Sequence, residues 1–600
     1  MPTPRKSLAL VLLLFIAATT LFYLQHVKHE QTAKLIDQGK DEYTIDENVL
    51  APSRIHPIYQ LITANEAEHK RLLERQSKSL EEAVKEYRRR YGLPPPPHFD
   101  QWYNFAKRRN VQLIDEYDTI HHQLLPFWAV SPEAIRERVR HALGSNGGLI
   151  GVSIRNGEVT LAEGGGDMYA WQRKATPHML KDFVTYLPDM DLAFNIRDEP
   201  RVVLPHDSLE RYVKLAKDKI QPRVASAPKL RNEFSPRPSD VNAGDRFKEY
   251  KTSLFNEYAH QPTWAESILS CPPDSAARRA SLTDKYVDDV QYYTSKDLDP
   301  TDFGFLINTT AHSDICHSPS LAHSFGFFDR PNAFDVTHTL IPIFSQSKVS
   351  SFQDILYPSP WYFQHRVRYD PSYDRTPYLS KARSLYWRGS STGGFSRDGG
   401  WRNQHRQRFV AKTMSTGKCR YLRLDRETHD WHQVSAPMKN MSHLFDVKFT
   451  YIGQCDPGDC DAQRAYFDLA PHVNMFEALR SRYVADIDGN AFSGRYYAWL
   501  LSHSLVFKSH IFREWHDEWI KPWVHYVPLS LRGDEYVETV RYFDEEQAGE
   551  IQGHRLAEQG RQWAQKVLRN DDLEVWYFRL LLEYGRVIDD NREEIGFMDA

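Results

Sequence analysis

Three glycines and one guanidinium lie together in residues 387–394, which read Trp-Arg-Gly-Ser-Ser-Thr-Gly-Gly. Glycines let backbone N–H groups approach an anion closely, and Arg388 adds a fixed positive charge, so the segment could bind phosphate. The lysine of a P-loop is absent. The segment also fits the G-x-S-x-G pattern of serine hydrolases, with Ser391 as nucleophile, but the loop-like sequence after it does not favour the strand-to-helix turn that this pattern requires. A flexible loop without a ligand is the third interpretation.

A second segment, residues 486–495, reads Asp-Ile-Asp-Gly-Asn-Ala-Phe-Ser-Gly-Arg. Asp486 and Asp488 have a spacing that could hold Mg²⁺ or Mn²⁺ against a diphosphate, although the same spacing recurs elsewhere in the chain. The more informative feature is a Gly-rich loop that opens a helix with Arg495 in its first turn. A helix N-terminus and a guanidinium can neutralise a diphosphate without a metal. The alternative is an ordinary loop in which Asp486 caps the helix.

A third segment, residues 187–200, is an apolar run that ends in polar side chains. It places Asn195, Arg197 and Asp198 at the end of a predicted strand. A carboxylate there could take a proton from an acceptor hydroxyl. The alternative is a surface aspartate in a salt bridge.

The elements that must position these segments are strands alternating with helices. Residues 151–161 hold two strand-like runs around Asn156-Gly157, which predicts a hairpin. Further runs predict buried strands at 191–196, 338–344, 384–387, 483–486 and 504–507, and periodic patterns predict helices at 403–413, 495–501 and 545–588. This order predicts an α/β chain with parallel sheets, in which ligands bind beyond the carboxyl ends of the strands.

The first hundred residues predict a membrane anchor and a stem. Residues 8–24 form an uncharged apolar run preceded by Arg5 and Lys6, which predicts a signal anchor with a cytoplasmic N-terminus and a luminal remainder. A cleaved signal peptide is the alternative. Residues 64–91 predict a charged helix with one apolar seam, and Pro94–Pro97 then predict a stiff spacer. A helix that packs on the catalytic part of the chain is the alternative to a stem.

Composition and cysteine content fit a luminal globular protein. The 600 residues are 41% hydrophobic and carry a net charge of −4, which excludes a disordered chain and disfavours nucleic acid as a partner. Asn308 and Asn440 begin glycosylation sequons. Five cysteines predict one or two disulfides with an odd thiol left over. A zinc site at Cys455 and Cys460 is the alternative, although no second close Cys or His pair accompanies them.

Together these segments resemble glycosyltransferase family 90, which includes fungal capsule-associated xylosyltransferases and animal protein O-glucosyltransferases. The resemblance is carried by LPDMDLAFNIRDEP at 187–200, IPIFSQSKVSSFQDILYP at 341–358, YWRGSSTGG at 386–394, YVADIDGNAFSGRYYAWLLSHSLVFKS at 483–509 and KPWVHYVPL at 521–529. YGLPPPPHFDQWYNFA at 91–106 and Cys271-Pro-Pro-Asp resemble the fungal branch. The resemblance implies a GT-B fold, in which two Rossmann-like domains face each other across a cleft.

The resemblance also implies roles for single residues. Asp198 matches the catalytic base, with Arg197 and Trp361 expected on the acceptor side. Asp488 stands where the animal branch has a basic residue. The loop at 394–402 differs in length from that of the animal enzymes, which makes the match of Arg406 to the family position less exact. The donor side is then expected to comprise Arg388, Gly389, Ser390, Arg406, Asp486, Asp488, Gly489, Ser493 and Arg495.

The expected activity is inverting transfer of a sugar from a UDP-sugar to a hydroxyl of a mannose-containing glycan or glycoprotein. Xylose is the first expectation for the sugar and glucose the second. No metal site or cofactor is expected, although Mn²⁺ or Mg²⁺ dependence stays open. An inactive carbohydrate-binding relative and the Ser391 hydrolase are the alternatives.

The expected organisation is that of a single-pass type II membrane protein with a luminal catalytic part, in the Golgi or the ER. The expected segments are a tail at 1–7, an anchor at 8–24, a stem at 25–97, an acceptor-side domain at 98–385, a nucleotide-sugar domain at 386–545 and C-terminal helices at 546–600.

Overall fold

The computed structural model describes residues 55–145, 147–290 and 303–598. The expected tail at 1–7 and anchor at 8–24 lie outside these residues. Within the described ranges, no helix combines the length and the apolar character needed to cross a bilayer.

Helices and strands alternate along the chain. The helices are α1 (Pro57–Glu74), α2 (Leu80–Tyr91), α3 (Phe99–Arg108), α4 (Asp118–Leu124), α5 (Pro132–Gly144), α6 (Ala170–His178), α7 (His206–Leu215), α8 (Gln221–Ala225), α9 (Trp264–Ser267), α10 (Ala276–Thr283), α11 (Thr309–His312), α12 (Gly326–Asp329), α13 (Pro360–Phe363), α14 (His405–Thr413), α15 (Pro457–Tyr466), α16 (Tyr496–Leu500), α17 (Tyr536–Glu545), α18 (Gln547–Val567) and α19 (Asn570–Val587). The strands are β1 (Leu149–Arg155), β2 (Glu158–Gly164), β3 (Met190–Asn195), β4 (Asn256–Glu257), β5 (Asp335–Val336), β6 (Ile343–Ser345), β7 (Ile355–Leu356), β8 (Ala382–Ser390), β9 (Lys418–Leu424), β10 (Trp431–Pro437), β11 (Phe445–Tyr451), β12 (Ser481–Ile487), β13 (Leu505–Ser509) and β14 (Val527–Pro528).

The first five-stranded sheet has the order β2-β1-β3-β6-β7. β1 runs antiparallel to both β2 and β3, whereas β3, β6 and β7 are parallel. Asn156 and Gly157 join β1 to β2 with φ angles of 50° and 76°, the left-handed pair that a tight hairpin turn requires. The predicted hairpin is confirmed, and it makes this sheet mixed rather than wholly parallel.

The second five-stranded sheet has the order β11-β8-β12-β13-β14 and is parallel throughout. Its β12 is buried over its whole length, as expected for a central strand covered on both faces. β8 and β12 are neighbours, so the loops that follow them emerge side by side at one edge of the sheet. The α/β class predicted from the sequence is confirmed.

The chain divides into two compact units. The larger comprises His56–Leu424 and His432–Ala600 and contains both five-stranded sheets. The described residues of the smaller unit are Ile55 and Asp425–Trp431, and the latter form a turn in which the Asp425 N–H donates to the Asp430 carbonyl over 2.8 Å.

One apolar core runs through both sheets of the larger unit. It includes Phe194 from the first sheet, Val484 from the second and almost every apolar side chain of α19. α19 packs on α3, near the other end of the chain, where the Trp102 indole N–H donates to the Val575 carbonyl over 3.0 Å. The last helix therefore completes the core around the first sheet.

The described part of the expected stem packs on this same core. Residues 64–91 form two helices rather than one, since Ser79 caps α2 by accepting a hydrogen bond from the Glu82 N–H. The Tyr87 hydroxyl on α2 bonds to Glu583 on α19 over 3.1 Å. Pro94–Pro97 are buried, and the Pro94 carbonyl accepts from Arg586.

Two disulfides join Cys271 to Cys316 and Cys455 to Cys460, and Cys419 is a buried free thiol. The prediction of one or two disulfides with an odd thiol is confirmed. The zinc alternative is wrong, because both of its sulfurs are consumed in one disulfide.

Candidate active site

Two loops at the carboxyl edge of the second sheet form the basic part of the site. The first follows β8 and carries the Ser-Thr-Gly-Gly sequence, and the second follows β12 and leads into α16. The Gly393 N–H of the first loop donates to the Asn490 side-chain oxygen of the second over 3.1 Å. The structure therefore brings together the first two segments singled out from the sequence.

Arg406, at the start of α14, forms hydrogen bonds with both loops. Its guanidinium donates to the carbonyls of Asp488 (2.8 Å), Ile487 (3.1 Å) and Ser390 (3.1 Å) and to the Thr392 hydroxyl (2.7 Å). Burial and, to a smaller extent, the charge of neighbouring Arg495 lower its pKa to about 9. No ion pair to a carboxylate is formed by Arg406 within the described residues.

Arg495 adds a second cation without a carboxylate partner in the described part of the chain. One of its N–H groups donates to the Arg388 carbonyl over 2.7 Å, and burial lowers its pKa. A buried positive charge is costly unless an anion compensates it. Arg406 and Arg495 together therefore favour an anionic ligand at this edge of the sheet.

Arg388 differs from these two residues because its guanidinium already has a partner. It pairs with the Asp446 carboxylate over 2.6 Å and with the Asp446 carbonyl over 2.7 Å. A cavity of about 170 Å³ lies beside it, lined by both Arg388 and Arg495 together with Gly389, Tyr386 and Trp499. Ser390 turns its hydroxyl towards Thr392, 2.9 Å away.

The close approach of Arg406 explains why residue 489 is a glycine. A Cβ atom at this position would lie 3.0 Å from Nη2 of Arg406. A side chain here would therefore press on the guanidinium, which would have to shift by a few tenths of an ångström, so Gly489 leaves room for Arg406.

The two aspartates of the Asp-x-Asp sequence point into the protein. Asp486 accepts hydrogen bonds from the Ser493 hydroxyl (2.5 Å) and the Lys508 ammonium (3.1 Å). Asp488 accepts from the N–H groups of Ile511 (2.8 Å) and Phe512 (3.1 Å), and burial raises its pKa to about 7. Both carboxylates hold the loop in shape, and the described residues contain no group of side chains arranged to bind a metal ion.

Asp198 faces these loops from the end of β3. It is open to solvent, yet the surrounding protein desolvates its carboxyl and raises its pKa. A hydrogen bond from the Asn490 side chain acts in the opposite direction and lowers that pKa. Asn490 thus contacts both the Gly-rich loop and the expected base. Sequence analysis assigned it no role, since an asparagine in a Gly-rich loop is typical of any turn.

Glu199, next to Asp198, is a further carboxyl that sequence analysis did not single out. Burial, followed by the charge of Asp198, raises its pKa to about 8. Its side chain accepts a long hydrogen bond, 3.4 Å, from the Ala333 N–H. Burial thus raises the pKa of both neighbouring carboxyls, and for Glu199 the charge of Asp198 adds to this effect.

The two residues expected on the acceptor side, Arg197 and Trp361, both form contacts with other residues of the protein. Arg197 forms an ion pair with Asp335 over 3.2 Å. Trp361 donates its indole N–H to the Gly494 carbonyl over 3.0 Å, and the neighbouring Tyr362 hydroxyl bonds to the Ser493 carbonyl. Both aromatic residues belong to α13 and hold the second loop in place.

Ser391 lacks the surroundings of a nucleophile. Its hydroxyl donates to the Gly453 carbonyl over 3.0 Å and accepts from the Gly453 N–H over 2.9 Å. Both functions of the hydroxyl are therefore engaged by backbone, which disfavours the hydrolase alternative.

Fold and site together define an α/β protein in which arginines and a Gly-rich loop meet at the carboxyl edge of a parallel sheet, the usual ligand position in such folds. The sequence profile of glycosyl transferase family 90 matches residues 325–594. This match confirms the resemblance to that family over the second sheet and its loops. Asp198 lies outside the matched range.

Curated relatives match a similar share of the chain. The O-glucosyltransferase rumi homolog of Anopheles gambiae is 28% identical over 257 residues, which cover 41% of this chain and 56% of the relative. Protein O-glucosyltransferase 1 of Homo sapiens is 24% identical over 272 residues, which cover 42% and 58% of the two chains. The alignments thus span little more than half the length of these relatives.

Proposed function

We propose that the protein is an inverting glycosyltransferase of the GT-B type that transfers a sugar from a UDP-sugar to a hydroxyl of a mannose-containing glycan or glycoprotein in the secretory pathway. The observation that carries the proposal is the pair of cations that form no ion pair with a carboxylate of the described residues, Arg406 and Arg495, together with the carboxylate of Asp198 that Asn490 contacts. The family match over 325–594 supports the same class of reaction.

The proposed mechanism assigns each group one task. Asp198 takes the proton of the acceptor hydroxyl, whose oxygen attacks the anomeric carbon on the face opposite UDP and inverts its configuration. Negative charge develops on the departing diphosphate, where Arg406 and Arg495 stabilise it. Their charge is fixed in place before the reaction, so little reorganisation is needed when the bond breaks.

Two arguments bear on the sugar. The segments that resemble the fungal branch support xylose, whereas the relatives named above are O-glucosyltransferases, which supports glucose as the second choice.

We propose residues 8–24 as a signal anchor, with the catalytic part in the lumen of the Golgi or the ER. We also propose that the arginines suffice for the leaving diphosphate, so that transfer needs no divalent ion.

The test is release of UDP by the full chain from a panel of UDP-sugars, in the presence of mannosides and with or without a metal chelator. The expected result is release from UDP-xylose or UDP-glucose that depends on the acceptor. Binding of UDP without release from any donor would instead support an inactive carbohydrate-binding relative.

The base assignment is tested with Asp198→Asn. We expect this change to lower the rate of transfer by about 10²- to 10⁴-fold, the usual contribution of a general base, and to leave UDP affinity unchanged. Asp207→Asn, at an exposed carboxylate in the first turn of α7, is the matched control. Equal turnover by Asp198→Asn and the wild-type protein would rule out Asp198 as the base.

A further inference from the structure

A larger cavity, of about 490 Å³, lies between the segments that follow β6 and β13. The helices α4 and α7 contribute to its wall, as do Thr309 and Thr310 of α11. None of its lining residues lines the crevice of Arg388 and Arg495. Its volume falls in the range of small-molecule sites, which is about 300–1,000 Å³.

The walls of this chamber are held in place by backbone pairing. Lys348 and Arg513 exchange two backbone hydrogen bonds, of 3.1 and 2.7 Å, which join the segment after β6 to the segment after β13. The Lys348 ammonium donates to the Asp354 carbonyl over 2.7 Å, and Lys508 donates to Asp486. Two of the cations in the wall are thus already engaged and are poorly placed to bind an anion.

Three buried polar atoms in the wall have no hydrogen-bond partner among the residues that the structure describes. These are Oε2 of Glu514 and Nε2 of His516, in side chains only 2% exposed, and Oε2 of Glu518. The other oxygen of Glu518 is fixed by the N–H (2.6 Å) and the hydroxyl (2.7 Å) of Thr119. Buried polar atoms nearly always have a partner, so these atoms indicate a ligand that supplies hydrogen-bond donors.

The charges of the wall define the class of that ligand. Burial raises the pKa of Glu514, that of Asp517 to about 6 and that of Glu518 to about 7, which reduces the negative charge of the wall. Lys348 and Lys508 are already bonded to acceptors of the protein, so the wall offers no concentrated charge of either sign. A hydroxyl group both donates and accepts hydrogen bonds and carries no charge. Apolar surface is also present, at Leu209, Val213 and Phe352.

We propose that this chamber is a binding site for a neutral saccharide, separate from the crevice that takes the UDP-sugar. Ring hydroxyls would pair with Glu514 and Glu518, while C–H groups would contact the apolar part of the wall. The inference goes beyond the proposed function and stands on the geometry of the chamber itself.

The test measures binding rather than turnover. The full chain is saturated with UDP and titrated with three uncharged probes, methyl α-mannoside, methyl β-glucoside and methyl β-xyloside, by ligand-observed NMR. We expect at least one probe to bind the wild-type protein at millimolar concentration. Glu518→Gln should weaken that binding by about tenfold, because an amide NH₂ replaces one carboxyl oxygen that would accept from a ring hydroxyl.

A steric variant makes the test independent of Glu518. Thr310→Trp places a large ring in the wall from an exposed position and should abolish probe binding. Thr283→Trp, at an exposed threonine outside the chamber, should leave it unchanged. All variants should keep their affinity for UDP.

Two results would overturn the proposal: no binding of any probe to the wild-type protein, or binding that neither Glu518→Gln nor Thr310→Trp alters. Absence of UDP release from every donor, with probe binding intact, would contradict only the proposed transferase activity.

Discussion

Four of the five N–H groups of Arg406 are used to hold the two loops, and one remains for a ligand. The guanidinium plane is therefore fixed before any donor binds. Asn490 has a comparable double contact, with Gly393 on one side and Asp198 on the other. The position of the Gly-rich loop and the pKa of Asp198, the proposed base, thus both depend on Asn490.

Replacing Arg406 by lysine tests the first of these contacts. A lysine has one charged nitrogen and cannot bond to three carbonyls and a hydroxyl that surround a planar group. We expect Arg406→Lys to weaken UDP binding by about 10- to 100-fold and to lower the melting temperature. Arg402→Lys, at an exposed arginine just before α14, is the matched control and should change neither. UDP titration and thermal unfolding measure both effects, and unchanged UDP affinity in Arg406→Lys would remove Arg406 from the donor site.

Replacing Asn490 by alanine tests the second contact through the pH dependence of transfer. The hydrogen bond from Asn490 lowers the pKa of Asp198, so its loss should raise that pKa. Transfer needs the ionised base, and the acidic limb of kcat/KM should therefore move to higher pH, with the rate recovering at alkaline pH. A uniform loss at every pH, without a shift of the limb, would show that Asn490 acts only on the shape of the loop.

Sequence reasoning identified the residue types of the site but not the directions of all side chains. Arg406 and Arg495 were predicted; Arg495 lines the crevice and Arg406 bonds to the two loops beside it. Asp486 and Asp488 were predicted beside them, yet both point inward. The reason is long-range, because the Asp488 carboxylate is turned by N–H groups of Ile511 and Phe512, more than twenty residues further along the chain. The sequence around Asp488 gives no indication of hydrogen-bond partners this far along the chain.

At the scale of elements, close backbone contacts place the Gly-rich loop against α12. A Cβ atom on Gly326, the first residue of that helix, would lie 2.1 Å from the Gly393 carbonyl oxygen. The ring of His405 packs on Phe325 at 3.9 Å, and its Nε2 bonds to the Asp488 carbonyl. The loop therefore has little freedom on the side away from the crevice.

Gly326→Ala is expected to push this loop towards the crevice. Overpacking of this kind costs about 1–3 kcal/mol of folding free energy, and the displaced loop should bind UDP about tenfold more weakly. Gly458→Ala, in α15, is the matched control, because nothing lies within 4 Å of the added atom. It should leave UDP binding unchanged and stabilise the protein slightly. Equal behaviour of the two variants would show that the loop does not need its contact with α12.

Elements with a strong local signal were predictable, and those shaped by their neighbours were not. The Asn156-Gly157 hairpin and β12 follow the predicted positions closely. Residues 338–344 were predicted as one strand, but β6 covers only Ile343–Ser345. Pro342 explains part of this difference, since proline has no N–H to give to a sheet.

At the scale of the whole molecule, segments that are far apart in the sequence pack against each other. α19, near the C-terminus, packs on α3 and receives side chains from α2. The composition of residues 64–97, rich in charge and proline, predicted a stem, while the described contacts of α2 and Pro94–Pro97 lie within the larger unit. Burial of a charged helix on a distant segment is a tertiary property that composition cannot reveal.

At this same scale, the loop lengths of the two disulfides predict how much each contributes to the free energy of unfolding. Cys271 and Cys316 are 45 residues apart, whereas Cys455 and Cys460 are 5 apart. Loop-closure entropy therefore predicts a loss of about 4 kcal/mol for removal of the first bridge and about 2 kcal/mol for the second. Denaturant unfolding of paired Cys→Ala variants measures both values.

The longer bridge should also affect binding at the chamber. Its loop carries Thr309 and Thr310, which line the chamber, and Leu306, whose carbonyl accepts from the Trp523 indole over 2.7 Å. Loosening this loop should weaken saccharide binding and leave UDP binding unchanged, because the donor crevice is built from other segments. Removal of the Cys455–Cys460 bridge serves as the control, since neither cysteine lines the chamber. An equal loss of stability for the two bridges would contradict the entropic account, because that account depends only on loop length.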